Sequence, residues 1–202
     1  LLLRLLKDIG DNQGQLPILQ HARRRGWDEW KNKSHDHMAP PKGQPDGVAI
    51  DLCCYESIGG MAEALSRHAD EAFNELPGPQ RKLAERMFKA LTEKGEDNRE
   101  IRRPLALREI HAITEAEEKE IIAVVETFRL PGRSFLTPPA ETVLTADSLI
   151  DISHESLIRN WKRLGEWVET EARHARAYRR VAETAALYQT GEAGLWRDPD
   201  LQ

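Results

Sequence analysis

Apolar positions along the chain recur mostly at steps of three and four, the pattern of helices with one buried face. The opening LLLRLLKDI places leucines at 1, 2, 3, 5 and 6 ahead of the polar GDNQG and reads as the end of a helix. LPILQHARRRGWDEW sets Pro17 in a first turn, where its missing N–H costs nothing. Leu16, Leu19 and Ala22 or Arg23 follow at helical spacing, with Trp27 and Trp30 beyond, and Gly26 counts against one unbroken helix. Turn-forming residues from Lys31 to Gly47, KNKSHDHMAPPKGQPDG, predict a long surface loop. Two helices are expected next, Asp51 to Ser57 and, after Gly59-Gly60, Met61 to Leu76. The second carries Ala62, Leu65, Ala69, Ala72, Phe73 and Leu76 on one face, and LPGP ends it.

Beyond that point the pattern changes. A helix from Gln80 to Leu91 turns Leu83, Ala84, Met87, Phe88 and Leu91 inward, EKGEDNRE forms a polar turn, and Ile101 begins a short strand before Pro104. A short helix from Leu107 to Ala112 and a longer one from Glu115 to Phe128 precede two short strands, Ser134 to Thr137 and Ser148 to Ser153, around PPAETVLTAD. Helices followed by a hairpin in this order spell a winged helix. A helix from Glu155 to about Gln189 closes the chain, with Gly165 weakening the run without ending it. The fold expected is therefore mainly α. A helical bundle over residues 1–76, with a flexible loop at 31–49, precedes a winged-helix domain with a short β-hairpin over 77–167. A long C-terminal helix forms an extension and linker over 168–202.

Composition narrows the function. The 202 residues are 40% hydrophobic and 31% charged, with a net charge of -5, which describes a globular chain whose main business is not nucleic acid. No apolar run approaches the length of a membrane span, and LLLRLLKDI lacks the basic lead and cleavage site of a signal peptide. A start on Leu1 suggests a piece of a larger chain, and a cytoplasmic location is expected. Cys53 and Cys54 are adjacent, cannot easily bridge each other, and fit a reducing interior.

Candidate chemistry is sparse. No G-x-x-x-x-G-K-[ST] occurs and no apolar strand ends in paired acids, so this chain by itself lacks the cradle that holds a triphosphate. His154-Glu155 does not continue into a zinc-binding H-E-x-x-H. The triplet His35-Asp36-His37 reads as solvated loop before it reads as a metal site, and Gly59-Gly60 as a backbone break between packed helices. Cys54 has no identifiable base nearby. Arg102 and Arg103 could face DNA phosphates, but the presumed recognition segment TEAEEKEII carries four glutamates, which favours a salt bridge or inter-domain contact. Arg173, His174, Arg176, Arg179 and Arg180, following Glu166, Glu169 and Glu171, read as an ion-paired solvated surface, with a partner-facing patch as the alternative.

GQLPILQHARRRGWDEW, YESIGGMAEALSRHADEAFNELP, MFKALTEKGEDNREIRR and IDISHESLIRNWKRLGEWV occur in that order between Gly14 and Val168. Together they resemble the region that follows the ATPase core in bacterial STAND NTPases, signalling ATPases related to apoptosis and plant-resistance switches. The resemblance implies a non-catalytic regulatory part of an ATP/ADP switch with a role in signal transduction or defence. No cofactor is expected on this chain alone, and ATP or ADP with Mg in the parent protein. The partners implied are its own ATPase core, further copies of itself on activation and a C-terminal β-propeller sensor, with no membrane and no nucleic acid. It also implies that Leu16 and Pro17 approach the adenine and ribose, and that His154 contacts the β-phosphate of ADP. Here Glu155-Ser156 follow the histidine, where distant relatives have a His-Asp pair. The residues alone leave His154 open between a local hydrogen bond behind a Ser153 cap and an anion contact at a helix start. A winged-helix transcriptional regulator and a nucleotide-independent adaptor are the rival functions.

Overall fold

The computed structural model describes residues 2–9, 16–36, 52–94 and 100–190. These form a mainly helical body with small antiparallel sheets. Four helices come first: α1 (Leu2–Ile9), α2 (Leu16–Asp36), α3 (Leu52–Ser57) and α4 (Gly60–Glu75). Ile18 and Ala22 of α2 meet Tyr55, Ile58, Met61 and Ala64 in a small core, with Leu5 and Leu19 against its edge. The hydroxyl of Tyr55 closes this corner, donating to Asp8 Oδ2 at 2.8 Å and accepting the Met61 N–H at 2.9 Å. Burial, then the bond to Asp8, pushes its pKa up to about 12.

Helix α2 differs from expectation at its end. It runs through Gly26, which is buried, and continues to Asp36, so Lys31 to Asp36 are helix rather than the start of a loop. Trp27 and Trp30 stack at 4.9 Å and the Lys31 ammonium lies 5.4 Å from the Trp27 ring. Such neighbours at helical spacing carry the last turns past a polar composition. The remainder of the expected loop lies outside the described residues.

Gly59 and Gly60 do form the break between α3 and α4. Both take left-handed conformations, φ +86 and +62, and a Cβ on Gly59 would stand 2.5 Å from Glu63 Cβ. Gly59→Ala is expected to cost about 2–3 kcal/mol, combining the left-handed penalty with that overlap. Gly60→Ala, whose Cβ would meet only the Tyr55 ring at 3.5 Å, should cost about 1 kcal/mol. Urea midpoints of the two variants check the ranking.

The second half opens with α5 (Gly78–Ala90), then β1 (Thr92–Lys94) antiparallel to β2 (Glu100–Arg102). Strand β3 (Leu105–Ala106) leads into α6 (Leu107–Thr114) and α7 (Glu118–Arg129). The hairpin expected between Phe135 and Ser153 forms as β4 (Leu136–Thr137) against β5 (Leu149–Ile152), and β5 lies between β3 and β4 in a three-stranded sheet. Chain reversal between α6 and α7 uses Glu115 in a left-handed conformation, so α7 starts three residues later than the pattern of glutamates predicts.

Helix α8 (Glu155–Asn160) and α9 (Lys162–Gln189) are two helices rather than one, and the break falls at Trp161, not Gly165. Trp161 is fully buried, and its indole Nε1 donates to Asp70 Oδ1 at 3.0 Å. The next N–H, of Lys162, turns to Ser66 Oγ at 3.3 Å. Tertiary contacts to α4 thus replace the local helical bonds. The larger core draws on both sides of residue 76: Leu65, Ala69, Phe73 and Leu76 pack with Phe88, Phe128, Ile152 and Trp161.

Candidate functional site

The site singled out in the sequence is the junction between β5 and α8. Ile150 and Ile152 are fully buried on the central strand, which fixes the strand face by face, since alternate side chains point opposite ways. Arg102 clamps the same strand from outside. Its guanidinium donates to Asp151 Oδ2 at 2.9 Å and to the Ile152 carbonyl at 3.0 Å, a salt bridge as the sequence favoured. The other carboxylate oxygen of Asp151 is buried without a partner among the described residues. Arg103 is exposed and donates its backbone N–H to the Leu91 carbonyl.

Ser153 does not cap α8. Its N–H donates to the Phe135 carbonyl at 2.9 Å, which prolongs the β4–β5 ladder by one residue and holds Ser153 in the sheet. The chain leaves the sheet one position later, so His154 is the N-cap residue, extended at φ −143 and ψ 137, and not part of the first turn. Its carbonyl accepts the Leu157 N–H at 2.9 Å. Its imidazole makes no capping bond, is exposed, and has no hydrogen-bond partner among the described residues. Of the local arrangement considered in the sequence, the Ser153 cap is not formed. Beside it, the Glu155 carboxylate is engaged by Arg159 at 2.9 Å, one turn on. The junction thus presents an exposed imidazole without a hydrogen-bond partner among the described residues, able to donate from one nitrogen and accept at the other.

Leu16 and Pro17 form the first turn of α2, Leu16 56% exposed and Pro17 half-buried. No hydrogen bond or ring contact joins either to His154 among the described residues. A short path does connect the two places. Phe135, bonded through its carbonyl to Ser153, packs its ring 5.7 Å from His21, just over one turn beyond Leu16 in α2.

That path exposes a pair the sequence did not reveal. His21 Nε2 and His68 Nδ1 lie 3.2 Å apart, and both rings also pack on Phe135. Burial, then the positive charge of Arg25, lowers the His21 pKa to about 4 and that of His68 to about 3. Both are neutral near pH 7, one ring donating to the other. They stand 47 residues apart on helices α2 and α4, so only the packed pair makes them visible.

His35 and Asp36 sit in the last turn of α2 and His37 lies outside the described residues; among those described, no group of three metal-ligating side chains assembles. Cys54 is buried and Cys53 exposed, their sulfurs 3.9 Å apart. On α9, Arg176 pairs with Glu169 at 3.0 Å, and Arg173 donates to the Thr170 hydroxyl, an ion-paired surface as expected. Hydrogen bonds from Lys94 and Arg176 lower the pKa of Glu169. No helix among the described residues is long and apolar enough to cross a membrane.

The family model described as Novel STAND NTPase 1 matches residues 1–194. The chain belongs to this family. No curated protein and no solved structure matches it. As a STAND NTPase relative the chain has its match running through α1 to α9, including the β5–α8 junction and the first turn of α2.

Proposed function

We propose that this chain is the regulatory, non-catalytic part of a STAND-type ATP/ADP switch. It closes over the ADP-bound ATPase core of its parent and relays nucleotide state to oligomerisation and signalling. The elements α5, β3, α6, α7, β4 and β5, with sheet order β3-β5-β4, follow the winged-helix order, which supports the likeness to the post-core region of these switches. The observation that carries the reading is His154: an exposed imidazole with no hydrogen-bond partner among the described residues, on a junction tied down on both sides. In the parent, the core would hold ATP or ADP with Mg, Leu16 and Pro17 would lie against the base and ribose, and His154 would reach the diphosphate. The DNA-reading alternative is disfavoured because Glu115, Glu117, Glu118 and Glu120 are all exposed where α7 would meet a phosphate backbone.

The test is the rate of ADP release from the full-length protein. A hydrogen bond to a charged partner contributes roughly 1.5–3 kcal/mol. Losing it from the closed state alone should speed release by about ten- to a hundredfold in H154A. Melting of the chain without nucleotide should barely change, because the ring is exposed and has no hydrogen-bond partner among the described residues. An unchanged release rate would sink the assignment of His154.

A further inference from the structure

Cys53 and Cys54 occupy adjacent positions of α3, Cys53 exposed and Cys54 buried. Neighbouring side chains leave a helix about 100° apart around its axis, yet these two sulfurs turn towards each other and stand 3.9 Å apart. The backbone beneath them is tied down. Ser57 Oγ donates to the Cys54 carbonyl at 2.9 Å, and the Tyr55 hydroxyl links α1 to the first turn of α4 through Asp8 and Met61.

Geometry restricts what such a pair can bind. A direct disulfide is disfavoured, because adjacent Cα atoms lie about 3.8 Å apart, short of the roughly 4.4–6.8 Å that ordinary disulfides span. Zinc takes about four ligands, and among the described residues no group of three His, Cys, Asp or Glu side chains assembles. One inserted soft atom meets both limits. Two sulfurs bound to a shared centre at roughly 2.3 Å, with an angle of about 100–110°, stand about 3.5–3.8 Å apart. The observed 3.9 Å is close to that span. Thiolates select soft centres, and one that needs two of them while bringing its own third substituent is trivalent arsenic.

We propose that Cys53 and Cys54 form a chelating site for a trivalent arsenical. The exposed Cys53 sulfur attacks first, and the Cys54 sulfur beside it closes the ring. With an aryl arsonous acid, two As–S bonds form and two As–O bonds break. Each thiol proton leaves with one oxygen as water, arsenic stays trivalent, and the aryl group remains its third substituent. The site uses no nucleotide and stands apart from the switch reading above.

Phenylarsine oxide, whose hydrate is such an acid, tests the proposal on the whole chain, with binding followed by native mass spectrometry. The native chain should retain one equivalent through a large excess of 2-mercaptoethanol and release it to 2,3-dimercaptopropanol, with an unchanged circular dichroism spectrum. Cys53→Ser and Cys54→Ala should each hold the arsenical at least about a hundredfold more weakly, the loss expected when two-point attachment falls to one. Cys53 is exposed, so Cys53→Ser decides the matter by itself if Cys54→Ala does not fold. The proposal fails if the monothiol strips the native chain, if Cys53→Ser binds as tightly as the native chain, or if retention appears only in urea. Zinc held as strongly as the arsenical would make the pair part of a larger metal site and overturn it as well.

Discussion

Trp161→Ala should be the most damaging single substitution in the chain, costing about 4–5 kcal/mol, near the top of the range for removing a buried aromatic ring. Trp161 is fully buried where α4, α5, α7 and α9 converge. Its ring lies 5.0 Å from Phe88, 5.5 Å from Trp167 and 5.8 Å from Phe128, so deletion empties the middle of an aromatic cluster. A loss of that size is a large share of the roughly 5–15 kcal/mol that stabilises a typical domain. For a chain of this size it should lower the melting temperature by roughly 10–20 °C. Trp161→Phe separates the ring from the hydrogen bond. Asp70 keeps its partner Arg163 at 2.7 Å, so losing the indole N–H leaves no orphaned carboxylate, and the cost should fall to about 1–2 kcal/mol. Urea unfolding of the two variants side by side checks this, and equal losses would mean that the bond to Asp70, not the ring, sets the stability.

The second large effect is a loss of stability in mild acid. His21 and His68 are held neutral in the folded chain, with pKa values of about 4 and about 3 against an ordinary 6.5. Arg24 and Arg25 of α2 and Arg133 beyond α7 lie close enough to depress them, although Arg25 is paired with Glu71 and Arg133 with Glu75. Above pH 6.5 both states carry neutral rings and stability is complete. Below it the unfolded chain takes up protons that the folded chain refuses, so stability falls as pH drops from 6.5 towards 4. The slope reaches about 1.4 kcal/mol per pH unit for each histidine. Urea midpoints at pH 7.5, 6 and 5 should therefore decline steeply. In His21→Gln/His68→Gln the decline over that window should flatten, from a lower starting stability at pH 7.5. A double variant that keeps the full decline would place the acid sensitivity elsewhere.

Much of this molecule was legible in the order of its residues. The inward face of α5 and most of that of α4 follow from apolar steps of three and four, because a helix that buries one side must repeat with its own turn, although Ala62, expected inward on α4, is exposed. The β4–β5 hairpin was legible from β-branched runs around a turn-rich stretch, and the glycine break before α4 from a pair of residues free to adopt left-handed backbone. The stretch ISHE also marked the β5–α8 junction as the place to look. Strands β1 and β3, three and two residues long, were not legible, since a strand that short exists only through its partner. Which residue caps α8 was decided by the Phe135 carbonyl, which keeps Ser153 in the sheet and leaves the cap position, and an open imidazole, to His154. The helix ended at Trp161 because Asp70 and Ser66, on a helix some ninety residues earlier, bind the indole and the following N–H. The histidine pair likewise arises only where α2 and α4 meet. Local periodicity sets which face of an element turns inward; only packing decides which distant groups meet there, because those contacts join residues that no local pattern relates.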